Sequence, residues 1–214
     1  MIYLVLEDLQ LEDINNNNYI FLMKVRNQKE ALNLLKDGFP LGFQTDTVPA
    51  IGCLPAYSEI IYKVKKREKK KALILMGAEI SQVLEYVHPS ALWDFRKLAD
   101  KYWPGALTLI VPMPAEKNFS FIPNNFIGIR IPDSEIARLL ITDSGPLATS
   151  SANISGISPS LTAHQVALDL PNLNLLGPIP WPKCSGKAST IIEWVRKGEW
   201  KLIRQGNVVL SGLR

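Results

Sequence analysis

Seven of the nine residues from Lys63 to Lys71 are basic, and the run leads directly into the apolar segment Ala72–Met76. Crowded Lys and Arg side chains repel one another, so such a cluster is stable where water or a polyanion screens it. A solvated helix end meets that requirement, and so does a phosphate site. Three features point to the second. Lys65 and Arg67 are two residues apart, which on an extended backbone turns both side chains the same way. The strand expected over Ala72–Met76 would hold them in place. Far along the chain, Ser150-Ser151-Ala152-Asn153 supplies short polar groups at an expected strand end. Elsewhere, Thr45-Asp46-Thr47 puts two hydroxyls and a carboxylate where a strand gives way to a loop. They suit either a ligand at a sheet edge or the turn's own N–H groups. Arg130 is a charge inside the apolar stretch Phe126–Ile131, a position that calls for a partner or a ligand.

These residues need a scaffold, and the chain is long enough to supply one. Its 214 residues can bury a substantial core, and 47% apolar with 21% charged residues is ordinary for a globular protein. The net charge is only +4, so the local basic cluster is more informative than the total. Two cysteines, Cys53 and Cys184, and two histidines, His88 and His164, show no metal-ligand spacing and fit a reducing compartment. No apolar run is long enough to span a bilayer, and the acidic N-terminus MIYLVLEDLQLED reads as neither a signal nor a transit peptide. A cytoplasmic protein is expected.

Strands are expected at Ile2–Leu6, Tyr19–Val25, Phe39–Gln44, Ala72–Met76, Ala106–Val111 and Phe126–Ile131, and later at Leu147–Thr149, Leu173–Leu176, Thr190–Val195 and Trp200–Arg204. Asn27 with Glu30 three residues on is a capping-box pattern that opens a helix closed by Gly38. Further helices are expected over Ser58–Lys66, Ile80–Val87 and Ser90–Tyr102, the last capped by Ser90. Another runs from an Asp133 cap to Ile141, and one more from Ser160 or Thr162 to Leu170. Gly52 and Pro55 mark a loop, and Pro112–Asn125 reads as an exposed one. Trp93, Phe95, Tyr102 and Trp103 fall at helical spacing and are expected in the core. Strands and helices alternate without a linker-like shift in composition, which predicts a single α/β domain around a mixed, twisted sheet. There is no Walker loop and no dinucleotide fingerprint, so a nucleotide would need another architecture.

Seven segments carry a family pattern in order: Thr45–Gly52 (TDTVPAIG), Lys65–Leu73 (KKREKKKAL), Trp103–Val111 (WPGALTLIV), Ile127–Asp133 (IGIRIPD), Pro146–Gly156 (PLATSSANISG), Ser189–Ile192 (STII) and Arg204–Gly206 (RQG). On these, the chain resembles the YrdC-like family of threonylcarbamoyl-AMP synthases across residues 27–207. Residues 1–26 would be an N-terminal extension packed on the domain, and 208–214 a C-terminal tail. The resemblance implies a twisted open α/β sheet with a basic concave face. It also implies a reaction in which L-threonine, bicarbonate and ATP give threonylcarbamoyl-AMP and pyrophosphate, for transfer to tRNA by a threonylcarbamoyl transferase. The family's Lys-x-Arg and Ser-x-Asn pairs match Lys65/Arg67 and Ser151/Asn153, the expected catalytic set. With Ser189, Thr190 and Arg204 these would bind ATP, accompanied by Mg2+. Thr45 and Thr47 would line the threonine side, with Arg130 at the floor. The chain departs from the family pattern at Pro49, where Tyr is usual, and at Met76, where His is common. Two other functions remain open beside the synthase: an RNA-binding or ribosome-associated module using the same basic face, and a nucleotidyl-transfer enzyme acting on a different small acid.

Overall fold

The computed structural model describes residues 23–122 and 124–210, so the strand expected at Ile2–Leu6 and most of the expected N-terminal extension lie outside the described residues. The strands are β1 (Lys24–Arg26), β2 (Leu41–Phe43), β3 (Ala50–Cys53), β4 (Ile74–Met76), β5 (Leu107–Pro112), β6 (Phe126–Arg130), β7 (Leu147–Ser151), β8 (Asn174–Leu176), β9 (Thr190–Arg196) and β10 (Glu199–Arg204). All ten join one mixed sheet in the order β1-β8-β2-β3-β7-β4-β6-β5-β9-β10. The helices are α1 (Gln28–Lys36), α2 (Glu59–Lys65), α3 (Leu92–Tyr102), α4 (Glu135–Ser144) and α5 (Ala163–Asp169). The expected single α/β domain is what forms.

Local signals explain several boundaries. The Asn27 side chain accepts from the Glu30 N–H at 3.0 Å, and the Glu30 carboxylate accepts from the Asn27 N–H at 3.0 Å, so two N–H groups at the start of α1 are satisfied. Gly38, at φ +84°, turns the chain out of that helix. The Thr162 hydroxyl caps α5 through the N–H of Gln165 at 3.1 Å.

Other expectations are corrected. Ala50–Cys53, expected as part of a loop, is a strand buried along its whole length. Its short apolar run carries no polar alternation because both of its faces are covered. Residues 80–86 form a 3-10 helix instead of an α-helix. Ser90 does not cap α3, since its hydroxyl is paired with His88 Nδ1 at 2.8 Å. Ser134, not Asp133, caps α4, because the Asp133 backbone N–H is turned to the Asp46 carboxylate. Trp93 is 63% exposed, while Phe95 and Trp103 are core. The loop after β5 is not simply exposed: Phe121 is buried and stacks on Phe119 with centroids 5.1 Å apart.

Three apolar clusters cover the sheet. One packs α2 and α5 on Ile51, Cys53 and Ala148. A second packs α3 on Leu107, Leu109, Ile127 and Ile129. The third packs α1 and α4 on Phe43, Ala50, Met76 and Leu147. A fully buried Leu such as Leu35 contributes about 2 kcal/mol. Strand alternation sends Thr108, Ile110, Gly128 and Arg130 to the side away from α3, and they belong to none of these clusters. That side is where polar residues gather.

Candidate active site

Arg130 ends β6 and is 4% exposed. Its guanidinium donates through Nε to the Gly105 carbonyl at 3.0 Å and through Nη1 to Thr47 Oγ1 at 2.7 Å. Nη2 forms a 2.5 Å ion pair with Asp46 Oδ1. Burial pulls this guanidinium's pKa down, Asp46 opposes that pull, and the positive charge of Arg204 adds to it. The partner that the sequence demanded for Arg130 is therefore Asp46, from the loop between β2 and β3. In the same loop Thr45 Oγ1 donates to the Val48 carbonyl at 2.7 Å and lies 3.1 Å from Thr47 Oγ1. Arg130 braces Thr47, and through it Thr45, the expected threonine-side pair, instead of presenting a free fork. The backbone N–H groups of Ser185 and Gly186 bond the carbonyls of Asp46 and Thr47, both at 2.9 Å, and bring the 185–187 segment against the loop.

The basic motif is built differently from the extended arrangement expected. Lys65 is the last residue of α2, Lys66 adopts the left-handed conformation at φ 50°, and Arg67 lies beyond the turn. Lys65 is 1% exposed. Its ammonium donates to the Ser151 carbonyl and, at 2.7 Å, to the Asn153 carbonyl, with Ser151 Oγ at 3.4 Å. Burial first and the Arg67 charge second pull its pKa down to about 7. Arg67 is half-buried and donates through Nε to the Lys71 carbonyl at 3.1 Å and through Nη2 to that of Ala72 at 2.9 Å. Asn153 Nδ2 donates to the carbonyls of Ile154 and Ile157 at 2.9 and 2.8 Å, while its buried Oδ1 has no partner among the described residues. A buried acceptor without a donor is costly, and a ligand donor or a cation would relieve it.

The third group lies toward the other end of the sheet. Arg204, ending β10, donates through Nε and Nη2 to the Ser189 carbonyl at 3.1 and 3.0 Å, with Ser189 Oγ 3.3 Å from Nη2. Ser189 Oγ is in turn 2.8 Å from Thr108 Oγ1. Thr190 Oγ1 donates to the Val208 carbonyl at 2.6 Å and accepts from the N–H groups of Gly206 and Val208. Its hydroxyl thus holds the segment after β10. Ala152 N–H donates to the Pro49 carbonyl at 2.8 Å, tying the Thr45–Pro49 loop to the Ser151–Asn153 turn. Met76, register partner of Arg130, is packed into the cluster under α1 and α4.

The structure brings Lys65, Ser151 and Asn153 into one group, Thr45, Thr47 and Arg130 into a second, and Ser189 and Arg204 into a third. The second and third are neighbours, because Arg130 bonds the Gly105 carbonyl while the Thr190 N–H bonds that of Ala106, the next residue. Sequence reasoning left Thr108 out of the site, and it read Asp46 as a loop carboxylate without assigning it to Arg130. Asp46 is marked by its two flanking threonines, and Thr108 by being the one hydroxyl in LTLIV. Among the described residues no cluster of three His, Cys, Asp or Glu could hold a metal.

An open mixed sheet with helices packed on it and a polar end of this kind defines an α/β protein of the YrdC-like class, and its solved neighbours agree. Sua5 of P. abyssi, crystallised with L-threonine, superposes at a TM-score of 0.74 with 25% identity, covering 85% of this chain and 57% of that one. YciO of E. coli superposes at 0.70 with 19% identity over 86% of this chain and 96% of that one, a likeness of fold. The family model Sua5/YciO/YrdC, described as telomere recombination, matches residues 33–206, and the chain belongs to that family. A threonylcarbamoyl-AMP synthase of Vibrio parahaemolyticus is 32% identical over 152 residues, 67% of this chain and 81% of the relative. The Bacillus subtilis synthase is 35% identical over 147 residues, which are 66% of this chain but only 42% of that longer relative.

Proposed function

We propose that this protein is an L-threonylcarbamoyladenylate synthase supplying tRNA modification. The observation that carries the reading is the convergence of Lys65 with Ser151 and Asn153, 86 and 88 positions away, at the unpartnered Asn153 oxygen. Threonine and bicarbonate condense with loss of water to a carbamate. A carbamate oxygen then attacks the α-phosphorus of ATP, the bond from that phosphorus to the bridging oxygen breaks, and pyrophosphate leaves. This chemistry needs positioning and neutralisation of charge more than a nucleophilic side chain. Arg67 Nη1, with no partner among the described residues, supplies the planar fork for phosphate oxygens. The Ser151 hydroxyl fixes a further oxygen, Asn153 Oδ1 can accept from a ligand donor, and Arg204 with Ser189 borders the nucleotide. Thr47, held by Arg130, and Thr45, paired with Thr47, line the threonine side. Magnesium would arrive with ATP and lower the charge on its phosphates. Asn153 Oδ1 would offer such an ion one hard oxygen donor, with most ligands left to phosphate and water.

A threonylcarbamoyl transferase would receive the product, with tRNA as final acceptor. The test is incubation of the purified protein with ATP, bicarbonate and labelled threonine. The labelled adenylate and pyrophosphate should appear together. ATP binding without either product would remove the synthase reading and favour an RNA-binding or ribosome-associated role for the same basic face.

A further inference from the structure

A groove of about 360 Å3 opens beyond the ends of β4 and β6, lined by Ala78, Glu79, Ser81, Trp103, Ile131 and Arg138. None of these is a residue assigned to the synthase site. Arg138, the fourth residue of α4, is half-buried, and its Nε is buried without a hydrogen-bond partner among the described residues. Its guanidinium makes no ion pair among the described residues, although Glu79 lines the same groove. A desolvated N–H with no acceptor is a standing cost, and a planar guanidinium matches a carboxylate or a phosphate with two parallel bonds. The groove's other polar groups choose between those anions. Glu79 is exposed at the rim, with Oε1 accepting from Ser81 Oγ at 2.6 Å. That carboxylate repels a phosphate dianion and attracts an ammonium. The buried wall of Ala78, Trp103 and Ile131 offers only apolar contact.

The geometry points to a second binding site, for a small apolar α-amino acid. Its carboxylate meets Arg138, its ammonium faces Glu79, and its side chain lies against Trp103 and Ile131. Among the described residues Arg138 and Glu79 form no ion pair with each other, so a zwitterion can meet both charges. The inference is independent of the proposed synthase activity, since it shares no residue with that site.

L-valine is the probe. Its titration into 15N-labelled full-length protein is followed at the Arg138 Nε–H resonance and at the amides of Ala78 and Ile131. These signals should shift saturably with valine, and should not move with isobutylamine, which lacks the carboxylate. Arg138→Gln should weaken binding about tenfold or more through loss of a charge-assisted pair. Glu79→Gln, on the exposed rim, should weaken it about fivefold. Neither variant should lower the melting temperature, and both should keep the wild-type ATP affinity. Absence of a saturable shift would overturn the proposal, as would shifts that persist in Arg138→Gln. Inorganic phosphate moving the same resonances as strongly as valine would also overturn it.

Discussion

The Lys65 ammonium donates to two backbone carbonyls while burial and Arg67 hold its pKa near 7. An arriving polyphosphate adds negative charge and raises that pKa again. ATP binding should therefore take up nearly one proton at pH 8, where Lys65 is mostly neutral, and almost none at pH 6. Calorimetry in buffers of different ionisation enthalpy measures this directly, and equal uptake at both pH values would show that Lys65 does not titrate. The same shift has a consequence for stability. The fold lowers the pKa of a base, so it disfavours the charged form. The penalty is full below pH 7 and is relieved as pH rises from about 7 toward the ordinary lysine value. Lys65→Met should remove that rise from the stability profile, as read by urea unfolding across the range. Arg67→Ala should weaken ATP binding by about 2 kcal/mol, the value of a charge-assisted hydrogen bond. Unchanged affinity by calorimetry would move phosphate recognition elsewhere. The types of these residues were legible in the sequence, but their directions were not. Two-residue spacing puts Lys65 and Arg67 on one side only of an extended backbone, and the left-handed Lys66 between them ends a helix instead.

At the scale of elements, the strongly patterned segments were legible: the Asn27–Glu30 box, the apolar run of β5 and the two last strands all read from sequence. β3 was not, because Gly52 and Pro55 look like loop residues, whereas the strand is buried on both faces and needs no polar positions. The end of β10 shows how an element sets a functional side chain. A Cβ on Gly206 would come within 2.2 Å of the Ala188 carbonyl oxygen and 2.3 Å of the Ser189 carbon. That close approach lets the chain after Arg204 pass the Ser189 backbone, to which Arg204 is bonded. Gly206→Ala should cost about 3 kcal/mol, at the upper end for overpacking, because the obstacle is backbone. ATP affinity should fall with it. A thermal melt and an ATP titration on one sample would check both, and a wild-type melting temperature would contradict the contact. Asp94, buried, accepts from Trp194 Nε1 and the Gly198 N–H, both at 2.8 Å, and ties α3 to this hairpin.

Across the whole molecule, the basic run is less available to a polyanion than its composition implies. Lys69 pairs with Glu59, and Lys70 and Lys71 with Glu68, all at exposed positions. Exposed pairs contribute little to stability and are screened by salt, but an RNA must compete with them. Neutralising Lys69, Lys70 and Lys71 together should lower the salt slope of any tRNA binding by fewer than three phosphate contacts and leave ATP affinity unchanged. Filter binding over a range of salt reads the slope, and a change equal to three full contacts would mean that RNA displaces the acidic partners. The strand order has another consequence, in kinetic terms. Residues that pair across the sheet are remote in the chain: Lys24 and Leu41 both align with Asn174, and Ala50 with Ser151. The Lys65 clamp on Ser151 closes only after the intervening segment has folded, and closure of long loops makes such topologies slow to fold. A refolding chain should thus regain nucleotide binding with the last global phase of tryptophan fluorescence, not with an earlier local one. A ribosome-bound chain lacking β7 should have no ATP site, however complete its first six strands.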